Sequence, residues 1–126
     1  MNATGRILRL DHVQLAMPEG SEERARSFYR DVLGMKEIPK PAALAGRGGC
    51  WFASGDARVH LGVEEDFRPA KKAHPALVVE GLDEILVRGE ATGLTMKPDA
   101  EIDGRRRVHV FDAFGNRIEL IEAKRT

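Results

Sequence analysis

Four residues able to bind a metal or move a proton stand at matched places in a 126-residue chain that reads as two copies of one pattern. His12 opens the first strand-like run, and His74 opens its counterpart in the second half. His60 lies in the last run of the first half, and Glu119 in the last run of the second. The separations agree: 74 − 12 = 62, 119 − 60 = 59, 60 − 12 = 48 and 119 − 74 = 45. A lone histidine on a strand is more often a surface or satisfied core residue, and a lone glutamate near a C-terminus is usually solvated. The matched placement is what sets these four apart. Three imidazoles and a carboxylate suit one borderline divalent cation, such as Zn²⁺, Ni²⁺, Fe²⁺, Co²⁺ or Mn²⁺. Four protein ligands leave two places of an octahedron for water or a substrate's oxygens, as Lewis-acid chemistry requires. Glu119 would offset part of the metal's charge and, on detaching, could accept a proton.

These residues must be positioned by regular elements, and the hydrophobic pattern supplies them. The run Ile7–Met17 reads as a strand stopped by Pro18, with Val13, Leu15 and Met17 on one face and His12, Gln14 and Ala16 on the other. Ser21 stands as an N-cap with Glu22 and Glu23 behind it. Ala25, Phe28, Tyr29, Val32 and Leu33 then recur at helical spacing until Gly34 ends the helix. Met35–Ile38, Cys50–Ala53 and Arg58–Val63 read as strands, with Pro39–Gly49 as a loop and Glu64–Ala73 as a linker.

After the linker the order repeats. A strand spans His74–Glu80, and a helix begins at Leu82, Ile85 and Leu86 and ends near Gly93. A short extended piece follows over Leu94–Lys97, then strands over Arg106–Phe111 and Arg117–Glu122 joined by a turn at residues 112–116. Gly89 interrupts the apolar stripe of the second helix. The implied fold class is α+β: two β-α-β-β-β modules, about 7–66 and 71–124, in one domain over residues 1–126. In that pattern all four candidate ligands fall on the strand face away from the helices.

Composition narrows the partners. Lys plus Arg is 20 and Asp plus Glu is 20, a formal charge of zero, which excludes a dedicated phosphate-backbone binder. With 42% hydrophobic and 32% charged residues the chain is an ordinary globular one. No apolar run reaches the ~20 residues of a membrane helix, and the first residues lack the apolar stretch of a signal peptide. The single cysteine, Cys50, fits packing rather than nucleophilic chemistry and agrees with a reducing cytoplasm.

The stretches Leu-Asp-His-Val-Gln-Leu-Ala-Met-Pro and Ala-Arg-Ser-Phe-Tyr-Arg-Asp-Val-Leu-Gly-Met resemble the opening of the vicinal oxygen chelate superfamily. That group contains glyoxalase I, extradiol dioxygenases, methylmalonyl-CoA epimerase, fosfomycin-resistance thiol transferases and bleomycin-resistance proteins. The resemblance continues through His-Pro-Ala-Leu-Val-Val and the closing Phe-Asp-Ala-Phe-Gly-Asn-Arg-Ile-Glu-Leu-Ile-Glu, so it covers nearly the whole chain. Ala113 replaces the proline usual in the family's turn. The resemblance implies paired β-α-β-β-β modules forming a curled mixed sheet around a cleft that holds one divalent ion, with His12, His74 and Glu119 in the family's ligand positions. His60 matches the fourth position, which glyoxalase I fills with glutamate and the epimerase with glutamine; a histidine there supplies no carboxylate base. Glu119 would then serve as ligand and general base. Gln14, Trp51, His109 and Phe111 fall on faces suited to contact substrate.

The activity implied is a metal-dependent lyase or isomerase acting on a small molecule with vicinal oxygens. A non-catalytic drug-binding protein and an extradiol-type dioxygenase are the alternatives. A zero net charge and a retained ligand set count against the first, and a fourth protein ligand would crowd the second. A thiol transferase acting on an antibiotic would need a cationic cluster, for which Arg105–Arg107 is a weak candidate. The family's habits imply a homodimer, with no nucleic-acid or membrane partner.

Overall fold

A computed structural model describes residues 4–124. The first module runs β1 (Val13–Met17), α1 (Glu22–Tyr29), β2 (Lys36–Ile38), β3 (Cys50–Ser54) and β4 (Ala57–Val63). The second runs β5 (Ala76–Val79), α2 (Leu82–Glu90), β6 (Met96–Ile102), β7 (Arg105–Phe111) and β8 (Arg117–Glu122). Each module folds its strands into a four-stranded sheet, ordered β1-β4-β3-β2 and β5-β8-β7-β6. In both, the first strand pairs parallel with the last and the remaining pairs are antiparallel. The two β-α-β-β-β modules expected from the sequence are present, as two open sheets rather than one continuous sheet.

Period-two alternation decides which face each strand buries. Leu15, Met17, Phe52, Val59 and Leu61 in the first sheet, and Val108, Val110, Ile118 and Leu120 in the second, point to the helix side and are buried. They merge with Ala25, Phe28, Tyr29 and Val32 of the first helical segment and Leu82 and Ile85 of α2 in one core. At the end of α1, Gly34 adopts φ +75°, which lets the Met35 N–H reach the Tyr29 carbonyl at 2.9 Å. The break at Gly89 also has a cause. A Cβ there would lie 2.3 Å from Leu94 Cδ2, so the missing side chain is the space into which Leu94 packs.

Three expectations need correction. The first strand starts at Val13, not Ile7; Ile7, Leu8 and Leu10 are exposed. Its partner begins at Ala57, and the first pair in register is Val13 with Val59, so the residues before Asp11 have no strand to bond. The 39–49 loop contains a 3₁₀ segment, Ala42–Arg47. The extended piece ending at Lys97 continues through Pro98 to Ile102 and forms a hairpin with β7 across Asp103 and Gly104, both at positive φ. Proline is tolerated there because β6 is a sheet edge, where a missing N–H costs no ladder bond.

Polar junctions tie the modules together. The Tyr29 hydroxyl, fully buried, donates to Asp112 Oδ2 at 2.6 Å. Asp112 Oδ1 accepts from the Phe114 and Asn116 amides, which closes the 112–116 turn. Asn116 donates to the Ala16 carbonyl of β1 and accepts from the Ala70 amide of the linker. Burial and the Asp112 carboxylate hold the Tyr29 hydroxyl well above its usual pKa, so it stays a donor. Tyr29→Phe removes a charge-assisted bond without opening a cavity. We expect it to lower stability by about 2 kcal/mol, seen in urea unfolding as a lower midpoint at unchanged slope.

Candidate metal centre

The faces turned away from the shared core carry the chemistry. On the first sheet, Trp51 and His60 are directly opposite each other across β3 and β4. Their rings stack at 3.9 Å and 6°, and His12 stacks on the other face of His60 at 4.0 Å and 15°. This three-ring column lines an open cavity of about 1150 Å³, together with Gln14, Lys40 and Arg58, and every lining residue belongs to the first module. His60 is thereby buried, and burial, with His12 beside it, lowers its pKa. An ion bound to an imidazole lies in the ring plane. Two rings lying nearly parallel at this distance cannot bind the same ion at once, so in this arrangement His60 acts as the support on which His12 rests.

The second sheet holds a denser group. Among the described residues, the metal-capable side chains that converge are His74, His109 and Glu119, whose donor atoms lie within 4.8 Å of one another. The backbone sets this up: His109 sits opposite Glu119 across β7 and β8, and the Glu119 amide bonds the Pro75 carbonyl, bringing His74 alongside. His74 Nε2 is 3.0 Å from Glu119 Oε1. Arg107 Nη1 donates to Glu119 Oε2 at 3.1 Å. His109 Nε2 is 2.9 Å from Asp99 Oδ2, and Arg117 Nε donates to His109 Nδ1 at 3.2 Å.

The partners of each ring decide which nitrogen is available. His74 Nδ1 faces the Lys72 carbonyl at 2.8 Å, an acceptor only, so Nδ1 carries the proton. Nε2 faces a carboxylate oxygen that can only accept, so the contact is a hydrogen bond donated by Nε2 unless a cation takes that proton's place. His12 repeats the design: its Nδ1 is 2.9 Å from Asp11 Oδ2, leaving Nε2 as the ligand-ready atom. An imidazole whose second nitrogen bonds a carboxylate or carbonyl is the usual state of a metal-bound histidine. His109 differs. Asp99 can only accept and Arg117 can only donate, so both of its ring nitrogens are engaged.

Burial raises the Glu119 pKa, but the hydrogen bonds from His74 and Arg107 outweigh it and hold the carboxyl below its usual value. It is therefore anionic and competent to bind a cation. The structure thus brings His74 to Glu119 and His12 to His60, but the two pairs stand on separate sheets rather than at one point. Trp51 and Gln14 line the first-sheet cavity. His109 joins the second group through its cross-strand position opposite Glu119, which its strand face alone did not reveal. Phe111 lines a different depression of about 380 Å³ with Arg24, Phe28 and Leu94, and the Lys97 ammonium lies 5.6 Å over its ring.

Comparison with known proteins bears on fold and kinship. A model of the glyoxalase/bleomycin resistance protein/dioxygenase superfamily matches residues 9–120. A glyoxalase-family protein from Bacillus anthracis is 47% identical, over 97% of this chain and 100% of its own, with a TM-score of 0.88. The fosfomycin resistance protein FosX from Listeria monocytogenes is 18% identical over 94% and 96%, with a TM-score of 0.73. FosX from Mesorhizobium loti is 20% identical over 94% and 95%, with a TM-score of 0.70. One Listeria FosX structure holds Mn(II) and 1S,2S-dihydroxypropylphosphonic acid. No protein of curated function matches the chain. No helix among the described residues is long and apolar enough to cross a membrane.

Cys50 stands apart from both groups, buried at the edge of the core. Burial, and next Glu37, push its thiol up to about 11. At pH 8 only about a thousandth of it would be thiolate. We expect alkylation by iodoacetamide to run at least about a hundredfold slower in the native protein than in denaturant, followed by mass spectrometry; comparable rates would show that the thiol is open.

Proposed function

The chain belongs to the glyoxalase/bleomycin resistance protein/dioxygenase superfamily, and from that premise we propose that it is a metal-dependent enzyme acting on a small molecule with vicinal oxygens. The observation that carries this reading is the matched state of His12 and His74. Each has Nδ1 tied to an acceptor, which leaves Nε2 as the atom to bind an ion, and that of His74 already meets the anionic Glu119 carboxylate. His12, His74 and Glu119 would hold one divalent ion, of which Mn, Zn, Ni, Co and Fe all suit two imidazoles and a carboxylate. The bound ion supplies Lewis-acid polarisation of two neighbouring substrate oxygens.

The chain's own residues do the rest. Glu119 Oε1 is placed as the ligand atom, and Oε2 is held by the Arg107 guanidinium, which fixes the carboxylate's orientation. That bond also withdraws basicity from Oε2, so Oε1 is the oxygen that would accept a substrate proton. Trp51 and Gln14 form the apolar and polar parts of the substrate wall, with His60 as the ring that keeps His12 in place. A lyase or isomerase fits this set, because it moves a proton and needs no external oxidant.

One chain does not complete the site. Both sheets bury their helix side in a common core, so the ligand-bearing faces look away from it in different directions. A second copy that lays its second sheet against the first sheet of its neighbour brings His12 to His74 and Glu119. We therefore propose a homodimer with two shared sites.

Elemental analysis after loading with Mn(II) or Zn(II) tests this. Wild type should hold about one ion per chain, and His74→Ala, His12→Ala and Glu119→Ala should each hold almost none. Mixing the His12→Ala and Glu119→Ala proteins after unfolding and refolding them together should restore metal in the mixed dimers alone, because one of their two sites is intact. Equal metal in His74→Ala and wild type would end the proposal. Full metal in a monomer would end its dimeric part.

A further inference from the structure

The second-sheet face holds more cations than its carboxylates can neutralise. Reading the register across β6, β7 and β8, this face carries Lys97, Arg105, Arg107 and Arg117 against Asp99 and Glu119, a balance of 4 − 2 = +2. Arg107 and Arg117, the two beside Glu119, are in different states. Arg107 is fully engaged: Nε donates to the Ala100 carbonyl at 2.7 Å, Nη1 to Glu119 at 3.1 Å, and Nη2 pairs with Asp99 at 3.3 Å.

Arg117 is not. Its Nε donates to His109 Nδ1 at 3.2 Å, and its Nη1 reaches the Lys71 carbonyl at a long 3.4 Å. Its Nη2 lies 3.2 Å from His109 Nε2, but that nitrogen already spends its proton on Asp99 and has no lone pair to offer. The guanidinium therefore lies against the imidazole with most of its terminal N–H groups unspent. A planar fork of this kind matches the two oxygens of a carboxylate or phosphoryl group. Both nearby carboxylates are committed elsewhere, Asp99 to His109 and Arg107, Glu119 to His74 and Arg107.

Arg117 precedes Glu119 by two residues on the same strand face, a separation of about 7 Å. We propose that Arg117, braced by the His109–Asp99 pair, is the anion-recognition residue of the site, and that the substrate carries an oxyanion group one strand repeat from its metal-binding oxygens. This rests on the proposed function for the position of the metal, but the anion subsite itself needs no metal. His109 then acts as a positioning residue: it holds the Arg117 fork without touching the ion. The module-one cavity that would face this wall carries Arg9, Lys40 and Arg58 against Asp11 and Asp56, a balance of 3 − 2 = +1 of the same sign.

Isothermal titration of the purified full-length protein tests the assignment, with methylphosphonate and acetate as anionic probes and acetamide as the neutral counterpart of acetate. Each is run on metal-free and on Mn(II)-loaded samples. At least one anion should bind wild type under both conditions, and acetamide should not. Arg117→Gln should weaken that anion by about tenfold or more, Arg117→Lys should recover part of the loss, and Mn(II) content should stay at the wild-type level in both variants. Arg117→Gln binding within about twofold of wild type would overturn the proposal, as would acetamide binding as tightly as acetate, or no anion binding to the metal-free wild type. Metal content on the same samples reports separately. A wild type that binds the anion through Arg117 but takes up no Mn(II) supports the anion subsite and sinks the metal reading.

Discussion

Everything at the candidate centre depends on which side of each sheet is buried. Leu15, Val59 and Leu61 in one sheet, and Ile118, Leu120 and Val108 in the other, all face the same shared core. Because strand side chains alternate, burying one set commits His12, His60, Trp51, His74, His109 and Glu119 to the opposite faces. A one-residue slip in any strand would send these polar groups into the core, where an unpaired charge or imidazole costs far more than the slip gains. The hydrophobic pattern that folds the chain is thus also what aims its ligands. The junction of Tyr29, Asp112 and Asn116 locks the modules in that orientation, so the two ligand faces are directed outward as a consequence of folding rather than by a separate device.

The same logic sets what was readable in the sequence. Alternation along a single strand is a local property, so the placement of His12, His60, His74 and Glu119 on the outward faces, and the core partners of each helix, followed from residue order alone. Contacts that depend on register between strands did not. Nothing local to β7 says that His109 stands opposite Glu119, or that Asp99 of an edge strand will bond it. Trp51 is adjacent in sequence to the buried Phe52, yet its stacking on His60 exists only because β3 and β4 pair in one particular register. The hairpin at Asp103 and Gly104 did have a local signal, an Asp-Gly pair between extended runs, and Pro98 obscured it; proline argues against a central strand but not against an edge.

The paired sheets also show how repeated modules diverge in function. His12 and His74 occupy equivalent positions and share one second-nitrogen strategy, with a carboxylate behind the first and a backbone carbonyl behind the second. The other strand-borne position diverged: His60 in one module is held by ring stacking, and Glu119 in the other by ionic bonds. Stacking leaves a site neutral and permits planar apolar contact, whereas the ionic network concentrates charge. In the proposed shared site each face would be half of a binding surface, the first contributing stacked rings and the second the ionic network around Glu119.

The charged half carries an internal competition that bears on how it would accept an ion. In the absence of a cation, Glu119 satisfies its lone pairs with Arg107 and with whatever proton lies toward His74. If His74 and Glu119 held a divalent ion, it would take the place of that proton, while Arg107 keeps the other carboxylate oxygen. Two positive centres then share one carboxylate, and the repulsion between them is relieved only by further negative charge. Asp99 is already divided between Arg107 and His109, and no other acid stands on that face in the strand register. In the proposed site that charge would come from the ligand. An oxygenated anion meets that need twice, through its metal-binding oxygens and through a second group at the unspent fork of Arg117, so electrostatic balance selects the same class of molecule that hydrogen-bond geometry does.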